Sequence, residues 1–197
     1  MKHHKLIALV LAVLLLTACA ASEPELVRYD HPTGLSLTMW EGFEGQDAEG
    51  FVGGYINQDQ GIAILMAEEL FASLANVGID PEMPLEEYGR FLMDCYGLEG
   101  TVESDALGNT RFVYDRDVQG GQARYFAYLY RNDVAFWTVT FMSARDKADG
   151  LEETFSQWAA TIELPTEAVG QVRGNSRKET APSMGAVFRC IVARFLL

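Results

Sequence analysis

Residues 122–142 read Gln-Ala-Arg-Tyr-Phe-Ala-Tyr-Leu-Tyr-Arg-Asn-Asp-Val-Ala-Phe-Trp-Thr-Val-Thr-Phe-Met, two apolar runs parted by Arg131-Asn132-Asp133. Aromatic and β-branched side chains suit a pleated, half-buried surface, and a short polar break suits a chain reversal. The stretch therefore predicts a β-hairpin with strands over 122–130 and 134–142. Asn132 and Asp133 are expected at its tip because they tolerate the positive φ that tight hairpin turns demand. Tyr125, Phe126, Tyr128, Tyr130, Phe136, Trp137 and Phe141 fall on both faces of the strands, which predicts at least partial cover on each side.

Toward the N-terminus the same period of two recurs. Leu35, Leu37 and Met39 alternate with Ser36, Thr38 and Trp40, placing the aliphatic set on one face of a strand. Residues 50–57 and 61–67 flank the polar turn Gln58-Asp59-Gln60 and predict a second hairpin. Gly53 and Gly54 inside it suggest a bulge or the close approach of another backbone. Residues 101–104 and 111–116 form a further pair across the turn 105–110.

Two segments change to a helical period. Pro84 suits a first helical position, and Glu86 and Glu87 complement the helix dipole. Leu85, Tyr88, Leu92, Cys95 and Tyr96 share a stripe that Gly97 ends. In the second, Leu151, Phe155, Trp158, Ala159 and Ile162 recur at helical spacing after a cap at Asp146 or Asp149, and the segment ends before Pro165. A shorter helical piece is expected over 69–76. Strands, helix, strands, helix predict one α+β domain, an antiparallel sheet packed by helices.

The extremities read differently. Lys2 and Lys5, the apolar run 6–16 and Leu16-Thr17-Ala18-Cys19 have the layout of a lipoprotein export signal. Eleven apolar residues fall short of the roughly 20 that a bilayer span needs. The expected organisation is a signal peptide over 1–18, acyl attachment at Cys19, an anchor-proximal linker over 19–28, the domain over 29–166 and a basic tail over 167–197. Composition favours a disordered or accidental tail over a membrane-surface segment.

Charge narrows the partners. The chain carries 15 lysines and arginines against 28 acids, and loss of Lys2 and Lys5 with the signal takes its net charge from −13 to −15. Nucleic acid is not expected, since neutralising phosphates requires clustered cations. Over 19–167 acids outnumber bases 27 to 8, whereas 168–197 carries 5 bases and 1 acid.

Motifs for chemistry are sparse. His31, beside Pro32, is expected as a solvated turn residue. No nucleophile elbow, phosphate loop or His/Cys metal pair is present, so neither cofactor nor metal is expected. Cys95 on its helical stripe is expected to act as a small buried hydrophobe, without a bridge to Cys190. Acids remain: Asp115 and Asp117 at i, i+2 on one strand face, and Glu41, Glu44, Asp47 and Glu49 in a loop after Trp40. A solvated acidic surface is the simpler reading of both, and a cell-envelope hydrolase using two carboxylates is the alternative.

The run Gly34-Leu35-Ser36-Leu37-Thr38-Met39, the hairpin around Asp59, the helix start Pro84-Leu85-Glu86-Glu87-Tyr88, the aromatic hairpin 125–141 and the closing stretch 155–164 resemble the PsbP-like group of bacterial lipoproteins, which includes DcrB-type proteins. The resemblance spans about 29–164. It implies the fold of an extrinsic photosystem II subunit and of a nuclear-import factor that binds the Ran GTPase. It also implies a non-catalytic accessory or binding role, without supplying a site. The expected function is a membrane-anchored extracytoplasmic module contacting an envelope protein or exported ligand, with Trp40, Tyr128 and Tyr130 as the candidate partner surface.

Overall fold

The computed structural model describes residues 24–118 and 121–166. Its strands are β1 (Leu26–Asp30), β2 (Ser36–Trp40), β3 (Glu44–Gln46), β4 (Gly53–Asn57), β5 (Ile62–Leu70), β6 (Val102–Ser104), β7 (Thr110–Val118), β8 (Gly121–Arg131) and β9 (Ala135–Ala144). Three helices accompany them: α1 (Phe71–Leu74), which runs into a 3-10 turn (Ala75–Val77), α2 (Leu85–Tyr96) and α3 (Arg145–Ala159). Seven strands form an antiparallel sheet in the order β3-β4-β5-β9-β8-β7-β6, and β1 and β2 form a separate ribbon. This is the α+β class that the sequence predicts. No helix among the described residues is long and apolar enough to cross a membrane.

The aromatic hairpin is the centre of the sheet, and alternation sends its side chains to two cores. Phe126, Tyr128, Trp137, Val139 and Phe141 project into the larger core. There α3 lays Phe155 across Phe141, stacked at 5.3 Å, and Trp158 beside both. Leu35, Leu37 and Met39 of the ribbon side close that core and are essentially inaccessible to solvent. On the opposite face Ala127, Leu129 and Phe136 meet α2, whose Tyr88 ring stacks on Phe136 at 4.1 Å. Covering each large side chain contributes about 1.5–3 kcal/mol, so both faces of the hairpin hold the fold together.

Several local expectations are corrected. The tip of the central hairpin uses no positive φ, which among the described residues occurs at glycines only. Asn132 instead reverses the chain with its side chain, whose Oδ1 accepts the N–H groups of Val134 (3.0 Å) and Ala135 (2.8 Å). Neither Asp146 nor Asp149 caps α3: the N-cap is Ala144, Asp146 lies in the first turn, and Asp149 is drawn into ion pairs. Of the stripe expected on α2, Tyr88 and Leu92 are buried, together with Gly89 and Met93, whereas Tyr96 is exposed. Residues 69 and 70 belong to β5, so the short helix begins at Phe71.

The domain also begins earlier than expected, since β1 starts at Leu26 inside the anticipated linker. Its outward residues Leu26, Arg28 and Asp30 alternate with half-buried Val27 and Tyr29. An outward leucine and only one strongly apolar inward position hide that period. The stretch expected as an acidic loop contains the edge strand β3. Gly54 fulfils its expectation, because a Cβ there would strike the Ile64 carbonyl oxygen.

Candidate functional site

Of the three residues expected on a partner surface, the structure encloses Tyr128 and leaves Trp40 and Tyr130 partly accessible. Tyr128 is fully buried in the larger core, where a surface residue cannot be. Its hydroxyl lies 3.1 Å from Ser156 Oγ. Tyr130 is half-buried and donates to the Ala159 carbonyl oxygen at 2.9 Å, fastening β8 to the end of α3. Trp40 is also half-buried, with its ring edge-on to Trp158 at 5.0 Å. All three belong to the contact between the strands and α3.

Tyr128 is one member of a polar cluster that sequence patterning did not reveal. Arg111 on β7 is buried, lies over the Phe126 ring at 5.8 Å, and donates to Glu103 (2.9 and 3.1 Å), to Glu152 and to Tyr128 Oη (3.4 Å). Burial opposes its charge, but the hydrogen bonds to Glu152, Tyr128 and Glu103 prevail and raise its pKa. Nearby, Asp105 Oδ1 accepts from the N–H groups of Leu107 and Asn109, both at 2.9 Å, while Asn109 Nδ2 donates to the Ser156 carbonyl oxygen at 3.2 Å. These contacts dock the β6–β7 turn on α3. Every carboxylate on Arg111 is engaged in neutralising it, so the cluster reads as an internal fastening.

The paired acids of β7 do share a face, but their surroundings differ from those of a catalytic pair. Asp115 receives Arg124 at 2.8 and 3.0 Å and Arg145 at 3.1 Å. Hydrogen bonding from Arg124 is the main cause of its lowered pKa, against a smaller opposing effect of burial. Asp117 accepts from Gln122 Nε2 at 3.0 Å. An acid held ionised by two arginines is poorly suited to deliver a proton near neutrality. Among the described residues no group of three or more His, Cys, Asp or Glu is placed to hold a metal ion.

His31 is not the solvated turn residue expected. Its Nδ1 lies 2.9 Å from Thr33 Oγ1, and its ring packs edge-on to Tyr55 at 5.5 Å over the bare Cα of Gly53. Cys95 is half-buried rather than enclosed. Cys19 and Cys190 lie outside the described residues, as do the signal, the tail and the question of a Cys95–Cys190 bridge.

What the structure does present is a row of side chains across the α2 face. Strand register aligns Tyr114 with Tyr125, Tyr125 with Met142, Met142 with Ala63, Ala63 with Ile56, and Ile56 with Glu44. Tyr114 and Tyr125 stack at 4.8 Å with planes 6° apart. Burial pushes the Tyr114 hydroxyl up to about 12, helped by Tyr125. The Arg116 guanidinium lies 5.8 Å from the Tyr114 ring centre, and its Nη2 donates to the Tyr96 carbonyl oxygen at 3.2 Å. The apolar members of the row are all half-buried, so each keeps part of its surface accessible. Ile56, Ala63, Ala123, Met142 and exposed Val118 are among the residues that line a largely apolar groove of about 430 Å³.

Helix α2 packs on β6, β7 and β8 and reaches β9 through the Tyr88–Phe136 stack. Tyr125 and Met142 lie on the same face of β8 and β9, farther from the hairpin tip than Ala127, Leu129 and Phe136, which α2 meets. Sequence alternation marks both faces of the central hairpin as apolar but does not tell which part of either stays open.

No protein-family model matches this chain, and no curated protein matches it significantly. Among solved structures it is similar to the solution structure of cyanobacterial PsbP (CyanoP) from Synechocystis sp. PCC 6803, with 15% sequence identity, 74% of this chain and 96% of that chain covered, and a TM-score of 0.37.

Proposed function

We propose that this chain is a lipid-anchored accessory module of the bacterial cell envelope, held outside the membrane through Cys19, that binds an envelope protein or exported ligand on its open sheet face. The observation that carries the binding role is the contiguous, partly accessible row Tyr114, Tyr125, Met142, Ala63 and Ile56. A contiguous apolar patch rimmed by charge, here Glu44 at one end and Arg116 at the other, is the usual anatomy of a protein-binding surface. Support for the anchor is the run Leu16-Thr17-Ala18-Cys19 behind an apolar segment too short to span. The PsbP-like, DcrB-type resemblance is compatible with both parts of this reading.

Two measurements test it in the full chain. Radiolabelled fatty acid should enter the wild-type protein, and Cys19→Ala should move it from the membrane to the soluble fraction. Tyr125→Ser and Met142→Ser should leave the thermal transition cooperative while lowering chemical cross-linking to the partner at least about fivefold, the scale of one interface residue worth more than about 1 kcal/mol. Unlabelled wild-type protein, or undiminished cross-linking by both sheet-face variants, would sink the corresponding half of the proposal.

A further inference from the structure

We infer that the groove beside the open row binds a long-chain fatty carboxylate, with its hydrocarbon chain lying across the strands and its head group at Arg116. This rests on the proposed binding face and names the class of exported ligand that the face takes. A volume of about 430 Å³ is that of a small-molecule site, and no charged side chain lines the groove in a chain of 28 acids and 15 lysines and arginines.

Strand register gives the groove its course. Arg116 lies directly opposite Ala123, and Ala123 opposite Ala144, so the three share the face that carries Tyr125 and Met142. Small side chains at Ala123 and Ala144 leave the hollow, and Met142, Ala63 and Ile56 border it in register over β9, β5 and β4. From β7 to β4 is four inter-strand steps, about 19 Å, so the groove suits a linear apolar ligand. A hydrocarbon chain fits such a lining better than a peptide does. The strands beneath it have already paired their backbone groups, and Asn57, Gln122 and Ser143 already hydrogen-bond to Glu41, Asp117 and Ala144. A peptide backbone laid there would lose its water without gaining partners.

Charge supplies the head group. Arg28, Arg111, Arg124, Arg131 and Arg145 each pair with a carboxylate, whereas Arg116 meets none among the described residues. Its guanidinium is instead held by the Tyr114 ring and by the Tyr96 carbonyl oxygen, which leaves further N–H groups for an anion. Lys147 Nζ adds positive charge beside the β4–β5 turn, 3.8 Å from where a Cβ on Gly61 would lie. Glu44, opposite Ile56, borders the other end and repels a carboxylate, so the head belongs at β7 and the tail toward β4. A single negative charge is favoured over a dianion, because the domain as a whole is acidic.

The test uses the full-length chain with Cys19→Ala, so that no acyl anchor competes, and follows displacement of fluorescent cis-parinaric acid by fatty acids below their critical micelle concentrations. Binding should saturate at one molecule per chain and tighten by roughly twofold to fourfold for each methylene added from octanoate to laurate. Arg116→Gln should weaken laurate about fivefold and leave dodecanol unchanged. Val118→Asp, at an exposed lining position, should weaken both several-fold with the thermal transition intact. Absence of saturable binding, equal affinities along the chain-length series, or equal binding by both variants would overturn the inference. So would binding only to phosphatidylcholine vesicles and not to monomeric laurate, which would assign the face to a membrane surface. Laurate binding beside undiminished partner cross-linking by Tyr125→Ser and Met142→Ser would keep this inference and refute the protein-binding role. Reduced cross-linking without laurate binding would refute this inference alone.

Discussion

At the residue scale, Gly53 shows how a single missing side chain fixes a site. A Cβ there would run into Cε1 and Nε2 of His31, the ring that packs on Tyr55 and joins the β1–β2 turn to the sheet. Gly53→Ala should therefore destabilise the domain by about 1–3 kcal/mol, the usual cost of overpacking. The double substitution Gly53→Ala with His31→Ala should recover part of that loss in a denaturant titration. Equal, additive losses would show that the two residues do not collide. The sequence announced the glycine, because Gly53 and Gly54 interrupt an otherwise regular strand. It could not announce the histidine, because His31 comes from a turn more than twenty residues earlier and nothing in its own neighbourhood marks it as packed. Tyr128 and Tyr130 illustrate the complementary limit: alternation shows that a strand has two apolar faces but not which of them α3 will close.

At the scale of elements, β7, β8 and α3 are tied together by Asp115, which lies between Arg124 and Arg145, with Asp149 binding the same two arginines from α3. The Asp115 carboxyl titrates below its ordinary range in the folded protein, so the unfolded chain takes up its proton first as pH falls. The stabilisation is fully present above the ordinary carboxylate pKa and is lost as pH drops through the depressed folded value. Wild-type stability should thus decline below about pH 5, whereas Asp115→Asn should start lower at neutrality and decline less. Parallel pH profiles of the two proteins would refute the clamp. The strands it joins were legible from alternation, and α3 from the spacing of Leu151, Phe155 and Trp158. The clamp was not legible, because Asp115, Arg124 and Asp149 meet only after the sheet register is set. For the same reason β1 escaped notice: its cover comes from Leu37 and Met39 across the ribbon, not from any apolar run of its own.

At the scale of the whole molecule, the larger core is complete within the described residues: Phe155, Trp158 and Ala159 seal it, and Glu163 pairs with Ser36 to end it. Deleting 167–197 should leave a cooperative transition and move the melting temperature by less than about 4 °C, whereas ending the chain before Arg145 should abolish the transition. Loss of cooperativity on the shorter deletion would place the tail in the core. The β1–β2 ribbon also has a mechanical meaning. Leu26 pairs with Trp40 at its open end and Asp30 with Ser36 beside the turn. A pull on the chain ahead of β1 therefore loads the backbone bonds of this ribbon one pair at a time, as in opening a zipper, while β2 stays seated on the core. Under such a load the ribbon would yield before the core does, as a fuse protects a circuit.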